Sequence, residues 1–215
     1  LILQGPSATP ESLAHLAGLS RPGKTVTVDR HAIRCEGVAD SPALRREITL
    51  AADAAGVDAT FIAPGRTLAD FRLVAMDMDS TLITIECIDE IADMQGLKAQ
   101  VAEITEAAMR GELDFSASLT RRVALLAGLD ASALERVYRE RLAISMGGEA
   151  MLAGVKAAGL KTLLVSGGFT FFTDRLKERL GLDYSHANVL EIENGKLTGR
   201  VVGATVPAET NEKQL

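Results

Sequence analysis

The sequence predicts an α/β protein whose parallel-sheet core is interrupted by an all-helical insertion and preceded by a small α+β domain. Three observations support this prediction. Residues 1–66 alternate short strand and helix patterns, and the apolar runs at residues 73–76 and 160–165 are typical of strands buried on both faces. Between those runs, residues 88–144 have apolar positions at the spacing of helices.

The composition is that of a globular protein, because 47% of the 215 residues are hydrophobic, enough to fill a core. The 23 basic and 29 acidic residues give a net charge of −6 without a concentrated Lys/Arg run, so we expect no nucleic-acid partner. No apolar stretch approaches the roughly 18 residues of a membrane span, so we expect neither membrane association nor export. Cys35 and Cys87 lack disulfide or metal spacing, which predicts reduced thiols in a cytoplasmic protein.

The first domain, residues 1–66, is predicted to have the order strand, helix, strand, strand, helix, strand. Thr9-Pro10-Glu11 and Ser41-Pro42 are typical helix starts. This order matches a ferredoxin-like unit and resembles the ACT-type domains that sense small molecules, which implies an effector site here. The predicted segments are strand 1–3, a helix from Thr9, strands 25–28 and 32–38, helix 41–55 and strand 57–62.

A second domain is predicted over residues 70–215, after a linker at Pro64-Gly65-Arg66. Its helical insertion spans about residues 86–145 and should contain about four helices. Glycines at positions 96, 111 and 128 are the predicted breaks between them. The remaining predicted elements are strands 73–76 and 160–165, helix 172–180, and a terminal strand pair at 187–192 and 196–202.

Two carboxylates, Asp77 and Asp79, follow the first buried strand within Asp77-Met78-Asp79-Ser80-Thr81. In parallel α/β proteins ligands bind where strands end, and an extended backbone would aim both acids to one side. A shared metal would offset their repulsion, and one carboxylate could attack phosphorus while the other handles protons. The alternative is an ordinary turn with capping Asp, Ser and Thr residues.

Ser166-Gly167-Gly168 follows the second buried strand and precedes a helix. A hydroxyl and unhindered amides near a helix N-terminus can bind an anion, and they suit a phosphoryl group. The alternative is a glycine-rich turn between a strand and a helix.

These motifs together resemble the phosphoserine phosphatase family of the haloacid dehalogenase superfamily, over about residues 71–203. The resemblance implies a Rossmann-like core with a helical cap, and hydrolysis of O-phospho-L-serine at the end of L-serine biosynthesis. It also implies that Asp77 is the nucleophile and binds Mg²⁺, and that Asp79 is the acid and base and holds the metal through its backbone carbonyl. The matching strings are Met76-Asp77-Met78-Asp79-Ser80-Thr81, Ile88-Asp89-Glu90-Ile91-Ala92, Ser118-Leu119-Thr120-Arg121-Arg122-Val123, Val165-Ser166-Gly167-Gly168-Phe169 and Asn194-Gly195-Lys196-Leu197-Thr198-Gly199.

Substrate-binding residues also follow from the resemblance. It implies that Glu86 meets the substrate ammonium, that Arg122 meets its carboxylate, and that Met109 and Phe115 close the pocket. Selectivity for a zwitterionic head group needs one anionic and one cationic partner away from the phosphate. The phosphoryl group is assigned to Ser166 and Gly167. Without the resemblance, the two charged residues would be assigned to the solvated surface and the two apolar ones to the helical core.

The sequence departs from the family in two places. The family lysine that contacts phosphate aligns with Asn211, and Lys213 comes into register only with a gap. The GD-x-x-ND motif that completes the metal site is absent, so we expect the chain to be part of a longer enzyme. Two alternatives stay open: a superfamily phosphatase or phosphotransferase for another small phosphomonoester, and a catalytically decayed small-molecule sensor. The sequence also leaves a homodimer open.

Overall fold

The computed structural model describes residues 1–65, 67–203 and 205–206. The chain divides into two compact units, Leu1–Arg66 and Thr67–Leu215, each with its own hydrophobic core. Within the described residues, no helix is both long and apolar enough to cross a membrane.

The first unit is an antiparallel four-stranded sheet with two helices, in strand order β2-β3-β1-β4. Both helices begin at predicted caps, where Thr9 accepts a hydrogen bond from the Ser12 N–H and Ser41 accepts one from the Leu44 N–H. Compared with the predicted segments, β1 is shifted by one residue and β2 is one residue longer at each end. The strand β3 ends two residues earlier than predicted, and β4 begins one residue later and ends two residues earlier. The elements are β1 Ile2–Gln4, α1 Pro10–Ser20, β2 Lys24–Asp29, β3 Ala32–Glu36, α2 Pro42–Ala55 and β4 Asp58–Thr60.

The second unit contains a four-stranded sheet in the order β5-β6-β7-β8. The pairs β5/β6 and β6/β7 are parallel and β7/β8 is antiparallel, which confirms the predicted α/β class. A wide turn, Met78–Leu82, follows β5. The elements are a 3-10 turn at Leu68–Asp70, β5 Leu73–Met76, α3 Cys87–Asp93, α4 Lys98–Met109, α5 Phe115–Ala124, α6 Ser132–Glu140, α7 Gly148–Ala157, β6 Lys161–Phe169, α8 Thr170–Leu180, β7 Tyr184–Glu193 and β8 Lys196–Val202.

One strand differs from its prediction in burial. The strand β5 has only β6 as a neighbour among the described residues, and its side chains are half-buried or, at Ala75, exposed. The prediction that it is buried on both faces is therefore wrong. Its neighbour β6 matches the prediction better, since Leu164 and Phe169 are both fully buried.

Four helices, α3 to α6, lie between β5 and α7 in the chain, and the breaks between them fall at Gly96, Gly111 and Gly128, which all have positive φ. Helix α7 has no counterpart in the predicted elements, although buried Leu152 and Val155 have helical spacing. The core of this unit includes Ile91, Leu126 and Leu134, all without exposed surface.

Candidate active site

The turn after β5 positions the two acids. Asp77 has an extended backbone, with φ −79° and ψ 162°, and its Oδ1 accepts a hydrogen bond from the Met78 N–H at 2.8 Å. Asp79 is also extended, whereas Ser80 adopts the left-handed conformation with φ 50°. This conformation reverses the chain, and the Ile83 N–H closes the turn on the Met78 carbonyl at 3.1 Å. Because Met78 is buried between them, the two acids face one cavity.

Asp79 connects three parts of the second unit. Its Oδ1 accepts from the Cys87 N–H at 3.0 Å, and its Oδ2 accepts from the Ser166 hydroxyl at 3.3 Å. Burial raises the pKa of Asp79 to about 6, the Cys87 N–H opposes the shift, and the nearby charges of Glu86 and Asp77 add to it. A carboxyl group that titrates near neutral pH can both donate and accept a proton. Burial also raises the pKa of Asp77, against the effect of the Met78 N–H.

A cavity of about 160 Å³ gathers most of the predicted site residues. Of its lining, the sequence singled out two aspartates, a glutamate, a phenylalanine, an arginine and the two glycines of the glycine-rich segment. The other lining residues were not predicted as site residues, although Leu119 lies three positions before Arg122 and thus on the same helical face. The lining residues are Asp77, Asp79, Glu86, Ile88, Phe115, Leu119, Arg122, Gly167, Gly168 and Phe169.

Glu86 and Arg122 bring opposite charges to this cavity. Glu86 precedes α3, and its Oε1 accepts a hydrogen bond from the Ser80 hydroxyl at 2.6 Å. Arg122 lies on α5, where burial lowers its pKa and the acids Asp89, Glu86 and Asp79 oppose that shift. Within the described residues its buried Nε has no hydrogen-bond partner. A buried N–H without a partner is costly, so an anionic group in the cavity would satisfy it.

Two predicted substrate-binding residues, Ser166 and Met109, do not line this cavity. Ser166 is buried behind the cavity wall, where its Oγ donates to Asp79 and accepts from the Gly168 N–H at 2.8 Å. Met109 is 84% exposed at the end of α4 and lines a separate cavity of about 550 Å³ beside α4 and α5. Phe115 and Arg122 line both cavities. A substrate contact of Met109 stays a prediction.

The glycine-rich segment lies within β6, which extends four residues beyond its predicted end at residue 165, so the alternative of a turn at this segment does not describe it. The strand β6 continues through it to Phe169, and α8 begins at Thr170. A Cβ on Gly167 would be 2.6 Å from the Phe115 ring, and a Cβ on Gly168 would be 2.7 Å from Asp79 Oδ2. A side chain at either position would therefore force the neighbouring group to move.

The carboxylates of Asp77 and Asp79 are the type of ligand that Mg²⁺ prefers. Within the described ranges, no group of three or more His, Cys, Asp or Glu side chains gathers as a metal cluster. Mg²⁺ is usually held by one or two carboxylates, with water and substrate phosphate completing its shell. Both Asp79 carboxylate oxygens accept hydrogen bonds, so the Asp77 carboxylate is the side chain best suited to hold the ion. Asn211 and Lys213, compared above with a family lysine, lie outside the described residues.

Comparison with known proteins extends this description. A sequence profile of the haloacid dehalogenase-like hydrolases matches residues 74–214. A phosphoserine phosphatase of Albidiferax ferrireducens is 60% identical over 141 residues, which are 65% of this chain and 60% of that protein. The chain thus spans about three fifths of the length of this curated relative.

Solved structures agree with the sequence matches. The structure of a phosphoserine phosphatase with a phospho-aspartyl intermediate analogue is 42% identical, with a TM-score of 0.58 over 61% of this chain and 63% of that one. The unliganded structure of a probable phosphoserine phosphatase from Vibrio cholerae is 38% identical, with a TM-score of 0.74 over 97% of this chain and 64% of that one.

Proposed function

The chain belongs to the haloacid dehalogenase-like hydrolase family, and on that premise we propose that it hydrolyses O-phospho-L-serine to L-serine and phosphate. This reaction would complete L-serine biosynthesis. The observation that carries the proposal is the pairing of Glu86 and Arg122 in the same cavity as Asp77 and Asp79. The two aspartates alone could act on any phosphomonoester. The added pair of opposite charges, Glu86 and Arg122, matches a zwitterionic head group.

In the proposed first step, Asp77 attacks phosphorus. A bond forms between an Asp77 oxygen and phosphorus while the bond from phosphorus to the seryl oxygen breaks. Asp79 donates its proton to the departing seryl oxygen, so that serine leaves as the neutral alcohol. A pKa of about 6 supports this role, because a useful fraction of Asp79 is protonated near neutral pH.

In the proposed second step, water attacks the aspartyl-phosphate on Asp77. Asp79, now a carboxylate, accepts the water proton, and the bond between phosphorus and Asp77 breaks to release phosphate. Hydrogen bonds from the Cys87 N–H and the Ser166 hydroxyl keep Asp79 oriented through both steps. Ser166 therefore acts through Asp79 in this proposal, and its hydroxyl is not assigned a direct substrate contact.

Substrate selection is assigned to Glu86 and Arg122. Glu86 would accept hydrogen bonds from the ammonium group, and Ser80 holds its carboxylate in place. The Nε of Arg122, which has no hydrogen-bond partner among the residues that the structure describes, supports its assignment to the substrate carboxylate. Gly167 and Phe115 form the wall beside the phosphoryl group, and their close approach leaves room for a small ester only.

Magnesium is the proposed cofactor, held by the Asp77 carboxylate and, as the family resemblance implies, by the backbone carbonyl of Asp79. When bound, it would neutralise charge on the phosphoryl oxygens and so reduce their repulsion of the attacking carboxylate. We further propose a cytoplasmic location, which the free and buried Cys35 and Cys87 support.

The first unit is proposed to be ACT-like and to bind a small-molecule effector. The ferredoxin-like strand order β2-β3-β1-β4 supports the fold assignment. A cavity of about 510 Å³ lined by residues of α1, β2 and β3 supports the binding assignment. Titration calorimetry with free amino acids and nucleotides would test it, and heat signals for none of them would contradict it.

A panel of phosphomonoesters tests the proposed substrate. We expect kcat/KM to be highest for phosphoserine, lower for phosphoethanolamine, which lacks the carboxylate, and lower for glycerol phosphate, which lacks both charges. Turnover of all three esters with similar kcat/KM would favour a different small phosphomonoester as the natural substrate.

A further inference from the structure

Asn188 on β7 is a buried amide whose hydrogen-bonding groups meet two separate segments of the chain. It is 2% exposed, and its Nδ2 donates to the Gly167 carbonyl at 2.8 Å. Its Oδ1 accepts from the Val206 N–H at 2.7 Å, and Nδ2 also lies 3.4 Å from the Val206 carbonyl. An amide buried this deeply is costly unless it is satisfied, so these contacts fix both segments relative to β7.

The contact with Gly167 falls where the β6/β7 ladder is irregular. Val165 pairs with His186, and the next pair is Phe169 with Asn188, so four residues along β6 face two along β7. The extra residues form a bulge, and a bulge leaves backbone groups away from the regular ladder. The side chain of Asn188 therefore supplies a hydrogen bond to the Gly167 carbonyl within the bulge.

The bulge tolerates little displacement. Its two glycines line the cavity, one against the Phe115 ring and the other against Asp79 Oδ2. The Gly168 N–H also bonds the Ser166 hydroxyl, which in turn donates to Asp79. A shift of the bulge by a few tenths of an ångström would thus displace Asp79, the proposed acid and base. The shift would be transmitted by two hydrogen bonds, from the Gly168 N–H to Ser166 and from the Ser166 hydroxyl to Asp79.

The contact of Asn188 with Val206 links the bulge to the start of α5, which also lines the cavity. The neighbouring Thr205 hydroxyl lies 3.0 Å from the Ser116 hydroxyl, in the first turn of α5 and next to Phe115. Asn188 thereby joins the bulge of β6 to the segment that packs against the start of α5. Both ends of this connection contribute residues to the cavity.

We propose that Asn188 is a positioning residue for the phosphate side of the active site, acting through the Gly167 carbonyl. The proposal rests on the proposed function. It predicts that loss of the amide changes turnover of any phosphomonoester alike, because the bulge is hydrogen-bonded through Ser166 to Asp79, which serves every phosphomonoester in the proposed reaction.

The test compares Asn188→Leu and Asn188→Asp with wild type and with Val155→Ala, a buried control on α7. Kinetics with phosphoserine and p-nitrophenyl phosphate, competitive inhibition by inorganic phosphate, and thermal unfolding are measured for each protein. We expect Asn188→Leu to lose at least about tenfold in kcat/KM on both substrates, with weaker phosphate inhibition. The control should lose stability without losing kcat/KM.

The Asn188→Asp variant separates positioning from packing. As a carboxylate it can accept from the Val206 N–H but cannot donate to the Gly167 carbonyl, whereas the protonated acid can do both. We expect its kcat/KM relative to wild type to rise as the pH is lowered from 8 towards 5. This variant also provides the test if Asn188→Leu does not fold.

A folded Asn188→Leu with native kcat/KM on both esters, or an Asn188→Asp ratio independent of pH, would overturn the positioning role. A wild-type protein that turns over p-nitrophenyl phosphate but not phosphoserine would refute the proposed function. The Asn188 variants would then still be compared with wild type by their turnover of p-nitrophenyl phosphate. Hydrogen exchange of the Gly168 amide should be faster in Asn188→Leu than in the control, and unchanged exchange would contradict the proposal without any turnover measurement.

Discussion

The hydroxyl of Ser166 donates a hydrogen bond to Asp79 Oδ2 at 3.3 Å, across a separation of 87 residues in the sequence. The contact joins the turn after β5 to the bulge at the end of β6. With the Cys87 N–H on the other oxygen, it leaves the Asp79 carboxyl held from two sides in a buried position. The proposed acid and base is therefore oriented by backbone and side-chain donors and not by another charge.

Arg122→Ala should lower phosphoserine turnover selectively. Loss of a charge-assisted contact to the substrate carboxylate should cost about 2 to 4 kcal/mol of transition-state binding, a roughly thirtyfold to thousandfold decrease in kcat/KM. Hydrolysis of p-nitrophenyl phosphate, which has no carboxylate, should change by less than about tenfold. Steady-state kinetics on both esters measure the difference.

Arg121→Ala is the matched control for this prediction, because Arg121 is the exposed neighbour of Arg122 on α5. It should leave both activities near wild type. Equal losses on both esters in Arg122→Ala would mean that the guanidinium supports the phosphate or the helix, and the case for a zwitterionic substrate would lose its main support.

Gly168→Ala should impair both stability and turnover. The added Cβ would lie 2.7 Å from Asp79 Oδ2 and 3.0 Å from the Ser166 hydroxyl, so the bulge or the acid must move. Overpacking of this kind costs about 1 to 3 kcal/mol, and kcat should fall at least about tenfold. Chemical denaturation and kinetics measure the two effects.

The contrasting substitution is Gly154→Ala on α7, where an added Cβ meets nothing within 4 Å. Because glycine is unfavourable inside a helix, this variant should gain about 0.5 to 1 kcal/mol with unchanged turnover. Native kcat in Gly168→Ala would show that the close approach to Asp79 has no catalytic importance.

Asp183 should contribute stability that depends on pH. A hydrogen bond from Lys161 and one from the Thr162 N–H lower the pKa of Asp183 from 3.8 to about 2. A carboxylate whose pKa is lower in the folded state stabilises the protein above the unfolded pKa, and that contribution is lost as the pH falls through the folded value.

Asp183→Asn should therefore melt at a lower temperature than wild type at pH 7, and the difference should shrink as the pH falls from about 4 towards 2. Thermal unfolding of both proteins across this range measures the effect. A difference that stays constant with pH would assign the contribution of Asp183 to its neutral hydrogen bonds alone.

Metal removal should abolish turnover. Excess chelator should eliminate phosphoserine hydrolysis and added magnesium should restore it, because the Asp77 carboxylate and a phosphate dianion repel each other without a cation. Calcium should suppress activity, since its larger and looser shell can take both carboxylate oxygens. Full activity in chelator would contradict the magnesium assignment.

The sequence predicted the fold class and the position of the two acids because both depend on local pattern. The apolar run at β6 and the acids at the end of β5 are readable from residue types over short windows. The half-buried state of β5 cannot be predicted from such windows, since it depends on which strands lie beside it. Helix α7 was missed although its buried Leu152 and Val155 carry a helical signal.

The finer arrangement of the site depends on long-range contacts. The predicted strand ends at residue 165 and leaves Ser166-Gly167-Gly168 outside it, because no local signal distinguishes a turn from a strand held open by Asn188, 21 residues from Gly167. The family resemblance implies a phosphate contact for Ser166, and the structure adds a hydrogen bond from its hydroxyl to Asp79 that the local sequence does not indicate. The exposure of Met109 follows from the path of α4, which the spacing of apolar residues does not determine.

The most direct test of the proposed chemistry is trapping of the phosphoenzyme. Rapid quenching in acid after mixing with ³²P-labelled phosphoserine and magnesium should leave label on the wild-type protein. The surface control Asp174→Asn, whose carboxylate accepts from Ser185, should label to the same extent. Asp77→Asn should carry no label and release no phosphate, whereas labelling or near-native turnover in Asp77→Asn would contradict Asp77 as the nucleophile.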